Sequence, residues 1–372
     1  MKFTISLDKA KKALATSVVL NGNQIQEVLK NYLIQADERG VLIIGTDLEI
    51  ALLLRSEADI TEQGAVLVDG KQLNDIINYS TGQSLTFETG ENNLTISSAT
   101  GKSVLLTRST EDYPKIDDFD DSLESVKLPR VPFIAAMQHV VSTVCEDETR
   151  RQINAVCIDS SEFISTDGKM VSIFKSTVPF ALSNVLIPQK SLAAFFRVLK
   201  ASSEEFFQFQ ETKQFYYFKL GTQTLSIRRL NIQFPTDRLR GLVTKTKETN
   251  SVNYTVGKVA IVSALERARL TANESRAVFV NCLKDKMELK TADGFGNYSV
   301  ESLQLKSDHD KEISAFFNWI NLLDLANSFS SENIALSFSE KAPDRSPLFL
   351  GESTFSAVIL PVEMSFNPQA FK

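Results

Sequence analysis

Two pairs of side chains have the types and spacing that a catalytic site could use. Asp47 and Glu49 lie two residues apart, so on a strand they would share one face and could form an acid–base or metal-binding pair. His139 and Cys145 lie six residues apart and could form a thiol nucleophile with its base. Neither pair has a third partner close in sequence. Turn carboxylates and core residues of an apolar helix are the simpler interpretations.

The chain contains no phosphate-binding loop, dinucleotide-binding glycine motif, nucleophile elbow or zinc-protease motif. We therefore predict no catalytic residue, metal ligand or cofactor, although a β-rich enzyme of unrecognised type stays open as an alternative. Three widely spaced cysteines favour a reducing compartment over a disulfide framework or a zinc site. Because no apolar run reaches ~18 residues and the N-terminus lacks a signal-peptide pattern, we expect a cytoplasmic protein with no membrane partner.

The elements that would position functional residues recur with a period near 125 residues. Each third opens with a short alternating strand and an amphipathic helix, at 2–20, 126–144 and 252–270. Strand pairs follow, and then a second helix at 71–79, 189–200 and 315–329. The predicted order β-α-β-β-β-α-β-β-β places three strands between the two helices of each third. Each third closes with further strands, at 85–108, 206–230 and 334–361.

This pattern predicts an α+β protein rather than a doubly wound α/β fold, because strands outnumber helices and pair as hairpins. We predict three repeated domains, each with two helices and antiparallel sheets, over residues 1–122, 126–244 and 250–372. The candidate linkers are 117–124, which is acidic, and 244–251, which is polar and rich in lysine.

Basic residues recur on the helix faces opposite the apolar stripes. Although the chain has a net charge of −6, residues 126–247 carry 17 Lys and Arg against 10 Asp and Glu. A solvated helix face explains such residues on any one helix. Helices of repeated domains can instead line one surface that binds duplex DNA through phosphates, without reading sequence. The candidate DNA-facing residues are Lys9, Lys12, Lys71, Lys190, Arg197, Lys200, Lys258 and Arg269.

A series of short segments, in a fixed order along the whole chain, resembles the bacterial DNA sliding clamp family, the beta subunit of DNA polymerase III. Each segment is weak alone, and their order is specific. They are Met1-Lys2-Phe3-Thr4, Gly45-Thr46-Asp47-Leu48-Glu49, Asp112-Tyr113-Pro114-Lys115-Ile116-Asp117, Thr166-Asp167-Gly168, Ile187-Pro188-Gln189-Lys190, Gln233-Phe234-Pro235, Asn273-Glu274 with Arg276, and Val358-Ile359-Leu360-Pro361-Val362.

The resemblance implies a head-to-tail homodimer whose six domains close a ring around duplex DNA. Such a ring is not catalytic. It would tether the replicative DNA polymerase and other proteins to the template and so confer processivity, and a clamp-loader ATPase would open it. The ring seam would place Leu105 and Leu106 of one protomer against Leu270 and Thr271 of the other.

The family also implies a hydrophobic cleft that accepts Gln-x-x-Leu-Phe-like segments of partner proteins. An ordinary strand core is the interpretation that these residues would receive without the resemblance. The cleft residues carried over by position are Ile153, Thr166, Gly168, Lys169, Met170, Val171, Pro235, Leu348, Val358, Ile359, Leu360, Pro361 and Val362.

The chain departs from the family pattern in three places. Residues 21–27 contain neither the usual basic residue nor the prolines, Lys169-Met170 replaces His-Arg, and Glu363 replaces a basic residue. We also hypothesise that residues 365–372 lie near the mouth of the cleft. The alternative function is therefore a clamp-fold adaptor that binds peptides and no longer tethers to DNA.

Overall fold

The computed structural model describes residues 1–14 and 27–363. Within these ranges the α-helices are amphipathic or largely buried, and none is long and apolar enough to cross a membrane. They are α1 (Leu7–Leu14), α2 (Gly70–Tyr79), α3 (Arg130–Val140), α4 (Gln189–Ala201), α5 (Thr236–Thr249), α6 (Lys258–Ala268) and α7 (Trp319–Ser328).

The strands are short, and every pairing between them is antiparallel. They are β1 (Lys2–Ser6), β2 (Asn31–Asp37), β3 (Gly40–Thr46), β4 (Ile50–Ser56), β5 (Asp59–Glu62), β6 (Gly64–Asp69), β7 (Ser84–Thr89), β8 (Asn93–Ser97), β9 (Lys102–Arg108), β10 (Val126–Pro129), β11 (Ala155–Asp159), β12 (Glu162–Thr166), β13 (Met170–Lys175), β14 (Val185–Pro188), β15 (Phe206–Glu211), β16 (Phe215–Leu220), β17 (Gln223–Arg228), β18 (Val252–Gly257), β19 (Ala277–Cys282), β20 (Lys286–Ala292), β21 (Tyr298–Lys306), β22 (Ile313–Asn318), β23 (Asn333–Phe338), β24 (Leu348–Gly351) and β25 (Phe355–Ile359).

The chain divides into two compact units. The first contains residues 1–134 and 190–230, and the second contains 135–189 and 231–372. The middle third of the chain contributes to both units, because its strands extend the sheets of its neighbours. The three predicted domains describe a repeat along the sequence, and their boundaries stay a prediction.

The first unit contains a 13-stranded sheet in the order β10-β15-β16-β17-β4-β3-β2-β6-β9-β8-β7-β1-β5. The middle third joins the first third where β17 pairs with β4, with Leu225 opposite Leu52. The phenylalanine-rich segment forms the β15–β16 hairpin, and Phe207 and Phe218 are buried there. Phe133 packs edge-on against Phe207 at 5.2 Å. Aromatic packing of this kind fixes the helices against the sheet.

The second unit contains a 12-stranded sheet in the order β14-β11-β12-β13-β25-β24-β23-β18-β21-β20-β19-β22. Here the middle third joins the last third through β13 and β25, with Val171 opposite Val358. Helix α7 begins at Asn318, whose side chain accepts a hydrogen bond from the Ile320 N–H at 3.0 Å. This is a standard N-cap and explains why the helix begins there.

The sequence repeat is visible as a repeated turn. Thr46 Oγ1 accepts the Leu48 N–H at 2.9 Å and donates to the Ile50 carbonyl at 2.8 Å. Thr166 Oγ1 makes the same two bonds, to the Gly168 N–H at 3.0 Å and the Met170 carbonyl at 2.5 Å. Threonine and aspartate favour such turns because their side chains bond the nearby backbone. The same hydrogen-bonded turn therefore recurs in the first and middle thirds.

Three local predictions differ from the structure. Residues 244–251 are not a linker, because 236–249 form α5 around the buried stripe Leu239, Val243 and Thr246. Residues 315–318 belong to strand β22, and α7 begins only after them. Four or five strands, rather than three, separate the two helices of each third, because short strands such as β14 were not distinguished from the helix entry.

Candidate functional site

A cavity of about 630 Å³ opens on the second unit. Its size is within the range of cavities that hold small ligands or short peptide anchors. Four separate stretches of the sequence surround it. The lining residues are Thr149, Arg150, Arg151, Gln152, Ile153, Thr166, Gly168, Lys169, Val171, Pro235, Arg238, Leu239, Leu242, Val358 and Leu360.

The floor of the cavity comes from the paired strands β13 and β25. Val171 lies opposite Val358, and the Leu360 N–H donates to the Lys169 carbonyl at 2.9 Å. Directly opposed residues in antiparallel strands share one face of the sheet. Both valines are nearly buried, whereas Leu360 is exposed at the rim. The floor is therefore a rigid, aliphatic surface.

The turn between β12 and β13 forms one wall. Asp167 Oδ1 accepts the N–H groups of Lys169 and Met170 at 2.7 and 2.6 Å. Gly168 has φ +85°, and a Cβ added there would lie 2.2 Å from Arg150 Nη2. The Arg150 guanidinium donates to the Asp167 carbonyl at 2.6 Å. Glycine thus permits both the turn and the close approach of this arginine.

Helix α5 forms the opposite wall. Leu239 is buried on the inner face of this helix, and Leu242 is half-buried. Asp237 in the first turn and Lys247 in the last complement the helix dipole. Two hydrogen bonds from Asn250 Nδ2, to the Ser337 and Pro347 carbonyls, fix the end of the helix.

Of the thirteen predicted cleft residues, eight line this cavity. They are Ile153, Thr166, Gly168, Lys169, Val171, Pro235, Val358 and Leu360.

The other five predicted cleft residues do not line the cavity. Met170, Leu348 and Ile359 are buried on the other face of the sheet, because successive strand residues alternate in direction. Pro361 and Val362 follow the end of β25, and the Val362 N–H bonds the Phe316 carbonyl instead.

Seven lining residues were missed by the sequence prediction. Four come from the segment 149–152 and three from α5. The helical spacing of Leu239, Leu242 and Val243 after Pro235 was the available signal. The polar, threonine-rich residues around these three make the helical signal weak.

The eight basic residues predicted to face DNA divide into two groups. Lys12, Lys71, Arg197 and Lys200 are exposed and make no ion pair with a described residue. The other four are already engaged by oxygen atoms of the protein. Lys9 pairs with Glu57 at 2.8 Å, Lys190 with Glu49 at 3.3 Å and Arg269 with Glu266 at 2.9 Å, and Lys258 donates to the Asn327 carbonyl at 3.2 Å and to the Phe329 carbonyl.

The four residues predicted for the seam also fall into two groups, which differ in exposure. Leu106 and Leu270 are 81% and 78% exposed. Leu105 is only 5% exposed and points into the core, so its predicted place at the surface is wrong. Alternation along β9 explains the correction, because adjacent residues face opposite sides. Thr271 is half-buried, and its hydroxyl lies 2.8 Å from that of Thr291.

Two strands within the sheets have partly open edges. Strand β9 pairs with β8 over 102–106 but with β6 only at 107 and 108. Strand β21 pairs with β20 over 298–304 but with β18 only at 305 and 306. Among the described residues, the remaining edge of each strand has no strand partner. Open edges of this kind are ready to pair with another chain, and sequence analysis did not identify the one on β21.

The candidate catalytic pairs are structural. Asp47 Oδ1 accepts the N–H groups of Glu49 and Ile50, as a turn carboxylate does. His139 Nδ1 lies 2.5 Å from the Ser328 carbonyl, whereas Cys145 lies beside the Asp147 carbonyl. Among the described residues, no group of three or more His, Cys, Asp or Glu could hold a metal ion.

Comparison with known proteins agrees with the geometry. The family described as DNA polymerase III beta subunit, N-terminal domain, matches residues 1–117. The beta sliding clamp of Proteus mirabilis is 22% identical over 374 aligned residues, covering 98% of this chain and all of the relative. That of Streptomyces coelicolor is 24% identical, covering 91% of each chain. Residues 1–117 thus match the beta-subunit family, and nearly the whole chain is similar to bacterial beta sliding clamps.

Solved clamps share the fold over nearly the whole chain. The DNA polymerase III beta subunit of Pseudomonas aeruginosa superposes with a TM-score of 0.87 at 18% identity, covering 98% of this chain and 100% of the other. A beta sliding clamp of Caulobacter crescentus gives 0.85 at 19% identity, covering 98% and 99%. This chain therefore shares the fold of these solved clamps.

One departure from the family pattern and the hypothesis about the tail fall outside the described residues. These are residues 21–26 of the segment 21–27, and the tail 365–372. Lys169, which replaces the family's histidine, lies at the cavity and is exposed. The cavity therefore differs from the family's common pattern at a residue of its lining.

Proposed function

We propose that this clamp encircles duplex DNA and tethers the replicative DNA polymerase and other proteins to it. Similarity to beta sliding clamps and a shared fold over 98% of the chain support the proposal. The observation that carries it is the pair of open strand edges, on β9 and β21. Strand β9 carries the strongly exposed Leu106, and Glu301 of β21 pairs with Arg267, three residues before the strongly exposed Leu270. Two different surfaces that complement one another favour head-to-tail association.

Ring closure follows if β9 of one protomer adds to β21 of the next. Main-chain hydrogen bonds between the two edges would supply direction and register. Leu106 and Leu270 would lose contact with water at each seam, which supplies an apolar driving force. Two protomers would then close a ring with two identical seams, as a head-to-tail contact does when its rotation closes.

Retention on DNA would be topological, and no catalysis by the clamp is involved. A closed ring raises the effective concentration of a tethered polymerase at the primer end. Exposed Lys12, Lys71, Arg197 and Lys200 would give weak contacts to phosphates, which allow sliding because they carry no base information. In this proposal, a clamp-loader ATPase opens the ring in the cytoplasm.

The cavity on the second unit is the proposed docking site for partner proteins. Its aliphatic floor and the leucines of α5 suit the leucine and phenylalanine of a Gln-x-x-Leu-Phe-like segment. The side-chain amide of the exposed Gln152, which also lines the cavity, is a polar group for the glutamine. Clamp-binding segments would thus share one apolar anchor and differ around it.

The test is retention on circular DNA. The protein is loaded onto a nicked circular plasmid with a clamp-loader ATPase and ATP, and free protein is removed by gel filtration. We expect the clamp to stay with the circle and to be released when a restriction enzyme linearises it. Binding that survives linearisation, or no retention by the circle, would contradict topological tethering. The adaptor alternative predicts no retention together with intact peptide binding.

A further inference from the structure

All charged side chains that line the cavity are positive. They are Arg150, Arg151, Lys169 and Arg238, and among the described residues no Asp or Glu joins them. This is unexpected for a chain whose net charge is −6. Cations collected around an apolar floor raise the local concentration of anionic ligands.

None of these four residues forms an ion pair with a described residue. Arg240, two residues after Arg238 on α5, shows the contrast, because three carboxylates surround its guanidinium. Asp159 and Glu162 lie 2.8 and 2.7 Å away, and Asp237 lies 3.6 Å away. The protein thus pairs this arginine with carboxylates and leaves those that line the cavity outside ion-pair contact, with Asp147 acting on Arg150 only from a longer distance.

Arg150 is also held in place. One guanidinium nitrogen donates to the Asp167 carbonyl at 2.6 Å, and another lies against Gly168. Its remaining N–H groups are available to a ligand, because a guanidinium carries five donors. An arginine that is already positioned loses less side-chain entropy when it binds a carboxylate.

We propose that the partner segment of this clamp is acidic: an apolar Leu-Phe anchor on the cavity floor, flanked by carboxylates that pair with the four cations. This inference rests on the proposed docking function and specifies the chemistry of the partner. A nucleic acid would also bring negative charge. It would leave Ile153, Leu239 and Leu242 without an apolar ligand, so the peptide is favoured.

Two fluorescein-labelled peptides test the proposal against the full-length protein. One is Asp-Gln-Ala-Asp-Leu-Phe-Glu, and the other replaces its three acidic residues with the matching amides. We expect the acidic peptide to bind about tenfold more tightly at low salt, as several exposed charge pairs would give. The ratio should shrink toward one in 0.5 M NaCl, because salt screens exposed charges over ~3–10 Å.

Variants assign this preference to the cavity. Lys169→Gln with Arg238→Gln should lower the ratio about fivefold, mainly through weaker binding of the acidic peptide. Lys245→Gln, an exposed residue on the same helix that does not line the cavity, is the matched control and should keep the ratio. A ratio that survives the double variant would overturn the proposal.

The outcomes separate the two hypotheses. Equal affinity for the two peptides would refute the acidic preference and leave the docking function standing. No binding of either peptide would refute both. Displacement of the acidic peptide by a short DNA duplex would assign the cations to nucleic acid and would also overturn the inference.

Discussion

Truncating Leu106 or Leu270 should open the ring without unfolding the protomer. Each side chain is about four-fifths exposed in the single chain, so little of its area contributes to the fold. Leu→Ala removes three carbon atoms. At ~0.8 kcal/mol per buried carbon and four-fifths of the area, one truncation costs ~2 kcal/mol per seam when the seam buries the side chain.

A ring has two seams, so the total is ~4 kcal/mol, or roughly 1,000-fold in the dimer dissociation constant. Mass photometry over a dilution series would measure this constant. Val259→Ala is the matched control, because Val259 is 77% exposed on α6 and lies outside the proposed seam. Leu105→Ala should act on the fold of the protomer instead. It creates a cavity in the core and lowers the unfolding temperature, at a cost of ~2–5 kcal/mol in the free energy of unfolding.

The reasoning fails if Leu106→Ala and Leu270→Ala dimerise like the unmodified chain. It also fails if Val259→Ala weakens the dimer as much as they do, because burial at the seam would then not be the cause. Circular dichroism of the two seam variants should show an unchanged unfolding temperature of the protomer. A large decrease would mean that these leucines stabilise the fold.

Three further predictions concern other parts of the molecule. Arg197→Gln should reduce the salt dependence of binding to a 30-base-pair duplex, by about one unit in the slope of log K against log salt. Lys258→Gln should change this slope little, because the carbonyls of Asn327 and Phe329 already accept hydrogen bonds from the Lys258 ammonium. Burial lowers the pKa of His139 below its ordinary value of 6.5. The free energy of unfolding should therefore fall as pH drops below about 6.5, because the unfolded chain takes up the proton first. The unfolding temperature of His139→Gln should change less between pH 7.5 and 5.5. Gly168→Ala should displace Arg150, strain the turn by ~1–2 kcal/mol and weaken peptide binding, as fluorescence anisotropy would show.

Much of the fold could be predicted because the repeat places similar local signals at equivalent positions. The second helices were located within a few residues because the apolar spacing is regular. The N-caps Asp69 and Asn318 mark where two of them begin in the structure. The strand pairs next to the Thr-Asp turns were also predicted, because their apolar residues alternate. How the middle third divides between two sheets could not be predicted, because pairs such as Leu52 and Leu225 join residues far apart in sequence.

Helix α5 shows why part of the cavity wall was missed. Its sequence contains Gly241 and several threonines, which are weak helix formers. Its stability therefore comes from tertiary packing of a narrow stripe, Leu239, Val243 and Thr246, rather than from propensity. A sequence pattern indicates helix propensity better than it indicates tertiary packing. Residues 244–251 therefore resembled a linker. Arg238 and Leu242 were missed together with the helix that carries them.

Strand β25 shows how closely the cavity depends on the core. Val358 and Leu360 line the cavity, while Ile359 between them is fully buried on the other face of the same sheet. The alternation that places the aliphatic floor also fixes it, because the floor cannot move unless the core residue between its members moves as well. Residues that determine affinity and residues that determine stability therefore alternate along one strand. Chemical variation among proteins of this fold is easier to accommodate at the rim, where Lys169 and Arg238 are exposed.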